Sequence, residues 1–184
     1  MPLKSKVIYT IGHSTRPANE FIDVLNAYNI EKVLDVRTVP KSRHNPQFNK
    51  EQLGKTLEEV NIGYQHLKLL GGLRHTTKNS VNLGWKNASF RGYADYMQTA
   101  DFSKGLDELI NLAEKQTVAV MCAEAVPWRC HRSMIADALT KKNFKVIHIL
   151  NDESSYPHRL TAFLKIKSGK IFYPKDNPKK FTSK

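Results

Sequence analysis

The stretch TVAVMCAEAVPWRCHRSMIADALTKK, residues Thr117–Lys142, decides the fold. Thr117 to Met121 is the most apolar short run and reads as a strand buried on both faces, at the centre of a sheet. Across residues 131–142, Met134, Ile135, Ala138 and Leu139 recur at helical spacing, and Asn143 supplies a C-terminal cap. A buried strand that passes through a polar loop into a helix is the building unit of a parallel sheet.

The same alternation extends in both directions. Towards the amino terminus, residues 7–11 form a β-branched run stopped by Gly12. Ser14, Thr15 and Pro17 then signal a helix start, with Phe21, Val24, Leu25 and Tyr28 on one face. Residues 32–36 read as a second strand. Asn49 with Gln52 resembles a capping box before a helix that turns Leu53, Leu57 and Val60 inward and ends at Gly63. Residues 64–67 are a short third strand, and 68–89 a long polar loop, a feature that is usually functional inside a compact domain. Ser89 caps a helix carrying Tyr93, Tyr96 and Met97, and Asp101 or Ser103 starts another with Leu106, Leu109, Ile110 and Ala113 inward. Towards the carboxyl terminus, residues 146–150 are a strand. Pro157 opens a last helix through Phe163 and Leu164 that closes at Gly169, and residues 171–173 form a final edge strand. The expected architecture is α/β: a three-layer Rossmann-like fold with a mostly parallel central sheet, one domain over residues 1–174 and a basic tail over 175–184.

Composition narrows the function class. Two cysteines, Cys122 and Cys130, build no disulfide framework, and no apolar run approaches the ~20 residues of a membrane span. Residues 1–6 lead into a short apolar run with no signal-peptide core, so a soluble cytoplasmic protein without a membrane partner is expected. The net charge is +12, from 29 basic and 17 acidic side chains. It is unevenly spread: residues 36–50 and 60–94 contain no acid, and the last twenty residues hold seven lysines and one aspartate. Unbroken runs of one sign fit either an anionic partner or a solubilising surface.

In a parallel sheet ligands bind beyond the carboxyl ends of the strands. The four exits are rich in chemistry: residues 12–16 (His13, Ser14, Arg16), 35–44 (Asp35, Arg37, Arg43), 68–75, and 122–132 (Cys122, Glu124, Trp128, Arg129, Cys130, His131, Arg132). The last exit ends at a helix amino terminus, where free N–H groups and the helix dipole favour an anion. Ser14, Arg16, Arg37, Arg43, Arg129 and Arg132 are therefore candidate phosphate-binding residues. His13, Asp35, Cys122, Glu124 and His131 are candidate catalytic groups. Each has a structural alternative: Cys122 as core packing, Asp35 as the partner of Arg37 or Arg132, His13 as a helix cap. The cysteine-phosphatase loop does not fit, because six residues rather than five separate Cys122 from Arg129. Cys122, Cys130, His131 and His13 carry the right atoms for a metal, but Cys130 and His131 are adjacent and no CxxC pair exists, so no metal set is expected, and no cofactor is called for. Trp85 and Trp128 are candidates to stack a base beside the cations.

The segments Tyr9–Ser14, Asp35–Arg37, Ser42–Phe48, Leu70–Gly72, Trp85–Tyr93, Met121–Glu124 and Cys130–Arg132 together resemble the family called domain of unknown function 488, from Tyr9 to about Pro174. The resemblance implies an α/β fold and marks His13, Asp35, Arg37, Cys122, Glu124, His131 and Arg132 as motif residues; it implies no reaction. From these readings the chain is expected to be a phosphate-binding enzyme acting on a nucleotide or single-stranded nucleic acid. A non-catalytic nucleic-acid-binding protein and a cysteine-dependent phosphatase or sulfur-transfer enzyme are the alternatives.

Overall fold

A computed structural model of the chain describes residues 7–175. The order of elements is β1 (Val7–Gly12), α1 (Ala18–Ala27), β2 (Lys32–Asp35), α2 (Lys50–Glu58), β3 (Gly63–His66), α3 (Ala88–Tyr96), α4 (Ala100–Ala113), β4 (Val118–Cys122), α5 (Arg132–Lys141), β5 (Lys145–Ile149), β6 (Ser155–Pro157), β7 (Lys165–Lys167) and β8 (Lys170–Phe172). Strands β3-β2-β4-β1-β5-β6 form one six-stranded sheet, parallel except for β6, which pairs antiparallel with β5. β7 and β8 make a separate hairpin.

Period-2 alternation divides the core. Ala119 and Met121 of β4 point to a layer with Phe21 of α1 and Leu53 and Leu57 of α2. Val118, Val120 and Cys122 point to the opposite layer, with Tyr93, Leu106, Leu109, Met134 and Leu139 of α3, α4 and α5. Helices thus cover both faces of the sheet, a three-layer α/β arrangement. β1 and β4 are neighbours, yet the chain leaves β1 over one face towards β2 and leaves β4 over the other towards β5. That divergence opens a crevice at the strand ends, the switch point where open α/β sheets bind ligands.

The strands and the main helices lie close to their expected places, but several helix starts differ. Pro17, not a hydroxyl residue, precedes α1, and no side chain caps it. Asn49 precedes α2, but its Oδ1 accepts from the Ser42 amide instead of capping the helix. Asn87 rather than Ser89 caps α3, accepting from the amides of Ser89 and Phe90, and Thr99 caps α4 through the Phe102 amide.

The expected last helix does not form. Pro157 ends β6, and the His158 amide continues the pairing by donating to the Val146 carbonyl at 2.8 Å. The Thr161 amide and hydroxyl both donate to the buried Asp137 of α5, at 3.0 and 2.7 Å. Ser168 and Gly169 have φ of 49° and 75° and form a two-residue turn between β7 and β8, the left-handed pair that such a hairpin needs. Residues 155–173 wrap α5 on its outer side, which explains why Arg132 through Asp137 of this helix are all buried. Of the basic tail, residues 176–184 lie outside the described residues.

Candidate functional site

Backbone pairing carries the sheet a little past its strand ends and fixes the crevice. The His13 and Ser14 amides donate to the Cys122 and Ala123 carbonyls at 2.9 Å each, and the Val36 amide donates to the Met121 carbonyl at 3.0 Å. Gly12 is required here: a Cβ would lie 1.9 Å from the Glu124 carbonyl oxygen. The resulting cleft has a volume of about 760 Å³, within the range of small-molecule sites. Its walls come from the loops after β1, β2 and β4, with Gly72, Leu73, Asn87, Ser89 and Phe90 closing one side.

One wall is a buried relay. Asp35, fully buried, accepts from Arg37 through Nε at 3.0 Å and Nη2 at 2.6 Å, and from the Tyr64 hydroxyl at 2.7 Å. Arg37 Nη1 donates to His13 Nε2 at 3.2 Å. The other ring nitrogen, Nδ1–H, donates to the Ser14 carbonyl at 2.8 Å, and the ring stacks on Phe48 at 4.2 Å. Burial, reinforced by the Arg37 charge, holds the His13 pKa below its ordinary value despite the pull of the Ser14 carbonyl. His13 is therefore a neutral ring with both nitrogens engaged. Asp35 does not reach the cleft; it positions Arg37, which does.

The floor is a cluster of sulfur and imidazole. Cys122 ends β4, and Cys130 and His131 immediately precede α5; all three are buried, and one ligand atom from each lies within 4.8 Å of the others. His131 Nε2–H donates to the Val36 carbonyl at 3.0 Å, which leaves the Nδ1 lone pair aimed at sulfur, 3.7 Å from Cys130 Sγ. Gly72 packs so closely on this ring that a Cβ there would be 2.4 Å from Nδ1. A hydrogen bond from the Cys130 thiol, with His131 and the Arg132 charge, holds the Cys122 thiol well below its ordinary pKa. Burial pushes Cys130 up. Cys130 and His131, though adjacent in sequence, bring their ligand atoms to one point. Cys130 is extended (φ −136°, ψ 143°) and His131 helical (φ −56°, ψ −16°), and this change of conformation removes the opposition of neighbouring side chains found along a strand.

The other candidate residues divide. Ser14 and Arg129 line the cleft, as does Glu124, exposed and with no partner for its carboxylate among the described residues. Arg132 does not line the cleft. It is 1% exposed, and its Nη2 donates to the Glu124 and Ala125 carbonyls, clamping the loop after β4. The first amides of α5 are taken as well: Arg132 N–H by Cys130 Sγ, Ser133 N–H by the Cys130 carbonyl and Met134 N–H by the His131 carbonyl. The helix terminus is thus closed to an anion. Arg16 ties the Gly12 and Leu150 carbonyls together, outside the cleft. Arg43 is exposed and lies off the lining. Trp85 packs edge-on against Phe90 and Phe163, so it belongs to the core rather than to a stacking platform. Trp128 is 60% exposed on a different side. Lys41, Ser42, Asn45, Asn87 and Phe90, which lie in the polar exit or the motif segments but were not singled out as site residues, also face the cleft. The acid-free runs that contain them were the available signal.

The family described as domain of unknown function DUF488 matches residues 17–139, about two thirds of the chain, and the chain belongs to it. No curated protein and no solved structure matches.

Proposed function

We propose that this member of the DUF488 family is an enzyme acting on an anionic substrate of the nucleotide class, bound in the cleft and transformed at the Cys122–Cys130–His131 cluster. The observation that carries the reading is the convergence of two sulfurs and an oriented imidazole at the floor of a cleft of about 760 Å³. A binding module has no use for such a floor, because desolvating two thiols and a histidine adds nothing to recognition. The lining supports the substrate class. Lys41 and Arg129 outnumber Glu124, the one acid among the lining residues, while the charge of Arg37 is offset by buried Asp35. Ser14, Ser42, Asn45, Asn87 and Ser89 supply hydrogen-bonding groups, and Val39, Leu73 and Phe90 supply apolar surface of the kind a base or sugar covers. Glu124 is the proton-transfer group, free of partners and two residues beyond Cys122.

The expected result in a thermal-shift screen of nucleoside phosphates is a saturable rise in Tm. A ligand at about 100 times its Kd adds about 2.7 kcal/mol, or roughly 5–10 °C for a chain of this size. Arg129→Ala should reduce the shift without lowering the Tm of the unliganded chain, since Arg129 is exposed. Stabilisation by no nucleotide, or equal stabilisation of wild type and variant, contradicts the reading.

A further inference from the structure

We propose that Cys122, Cys130 and His131 bind a zinc ion, leaving one coordination position open to the cleft. This deepens the reading above and rests on it for the place of the reaction.

The donor set fits a borderline-soft ion. Tetrahedral zinc, with Zn–S near 2.3 Å and Zn–N near 2.0–2.1 Å, holds sulfur and nitrogen about 3.6 Å apart. Cys130 Sγ and His131 Nδ1 are 3.7 Å apart, and all three ligand atoms lie within 4.8 Å of one another. Outer contacts match as well. A ligating histidine donates its second ring nitrogen to an acceptor, as His131 Nε2–H does to Val36 O at 3.0 Å. The Arg132 amide donates to Cys130 Sγ at 3.4 Å, a contact that favours thiolate. The ligands sit on rigid ends, one strand and one helix start, and are 8%, 2% and 8% exposed. Yet all three line the cleft, so a fourth ligand can enter only from there. Three protein ligands and one open position is the pattern of catalytic rather than structural zinc. A water in that position would have its pKa brought to about 7, and the free Glu124 carboxylate lines the same cleft to take its proton. Zinc takes cysteine as thiolate, so any thiol proton displaced on binding leaves to solvent.

Zinc itself is the probe. Full-length chain purified without chelator should hold about one zinc per chain by elemental analysis. After stripping, added Zn²⁺ should shield both sulfurs from iodoacetamide, and Co²⁺ should give sulfur-to-cobalt charge-transfer absorption with intense tetrahedral bands. Cys122→Ser and His131→Gln should each weaken zinc binding by more than the ~100-fold that loss of a ligand's supporting contact costs. Circular dichroism identifies a variant that fails to fold, and the wild-type measurements stand without either. Wild type that takes up no zinc, gives no cobalt spectrum and alkylates equally fast with and without Zn²⁺ overturns the site. Nucleotide stabilisation of the stripped chain, lost in Arg129→Ala, keeps the cleft reading standing if zinc fails. Stoichiometric zinc with no nucleotide effect supports the metal site and removes the substrate class.

Discussion

Thr10, His148, His158 and Asp137 form a buried chain in which each group's role is fixed by the next. Asp137 accepts from His158 Nε2 at 2.9 Å, so His158 Nδ1 accepts from His148 Nε2 at 2.9 Å, and His148 Nδ1 accepts the Thr10 hydroxyl at 2.6 Å. Burial, with the nearby His158 and Arg132, lowers the His148 pKa to about 3. In the unfolded chain its pKa returns to about 6.5. Above that value both states are neutral and His148 adds no pH dependence. Between about 6.5 and about 3 only the unfolded chain takes the proton, so stability falls by about 1.4 kcal/mol per pH unit from this residue. Chemical denaturation at stepped pH should show this slope in wild type and a shallower one in His148→Gln; equal slopes would place the proton uptake elsewhere. His13 and Asp35 teach a related lesson. Both are polar residues at a strand end, the usual signature of catalysts, yet their hydrogen-bonding capacity is spent on Arg37, Ser14 and Tyr64. No sequence pattern distinguishes a carboxylate that reacts from one that holds an arginine in place.

At the scale of elements, the helix starts test the local physics. Thr99 Oγ1 accepts the Phe102 amide at 3.2 Å at the start of α4, the helix that brings Phe102, Leu106 and Leu109 onto the sheet. Thr99→Ala should cost about 1 kcal/mol and lower the Tm by roughly 2–4 °C, with the cleft unaffected. An unchanged Tm would show that water replaces the cap without cost. The parallel strands and α1, α2, α4 and α5 were legible because apolar periodicity and element length agree there. The caps were less so: several polar residues crowd each boundary, and only the turn conformation decides which one accepts. The segment after Pro157 was misread because Phe163 and Leu164 imitate a helical face. Its polar groups go instead to Asp137, a long-range partner that no local pattern announces. The cysteine–histidine cluster was named in the sequence but set aside as a metal set for a comparable reason. Its members are separated along the chain by the β4–α5 loop, and only the change of backbone conformation at Cys130–His131 turns them to one point.

Across the whole molecule, charge and topology agree. The switch point between β1 and β4 sets the cleft, and parts of the two acid-free runs fold into its walls, Arg37, Lys41, Ser42 and Asn45 from the first and Gly72, Leu73, Asn87, Ser89 and Phe90 from the second. Much of their positive charge goes elsewhere: Arg74 lies over the Tyr96 ring at 3.5 Å, and Arg91 donates to the Trp85 carbonyl. The net charge of +12 therefore overstates the field at the cleft, which depends on Lys41 and Arg129, since Arg37 is paired with buried Asp35. No described helix is long and apolar enough to cross a membrane. The central claim is that the substrate cleft and the sulfur cluster are one place. The most direct test is the alkylation rate of Cys122 in metal-stripped chain, read by mass spectrometry with and without a stabilising nucleoside phosphate. Bound substrate covers the floor of the cleft, so Cys122 modification should slow in proportion to occupancy, and Arg129→Ala should shift the protection to higher ligand concentration. Saturating ligand that stabilises the chain while Cys122 reacts at its unliganded rate would place the binding site elsewhere and contradict the account.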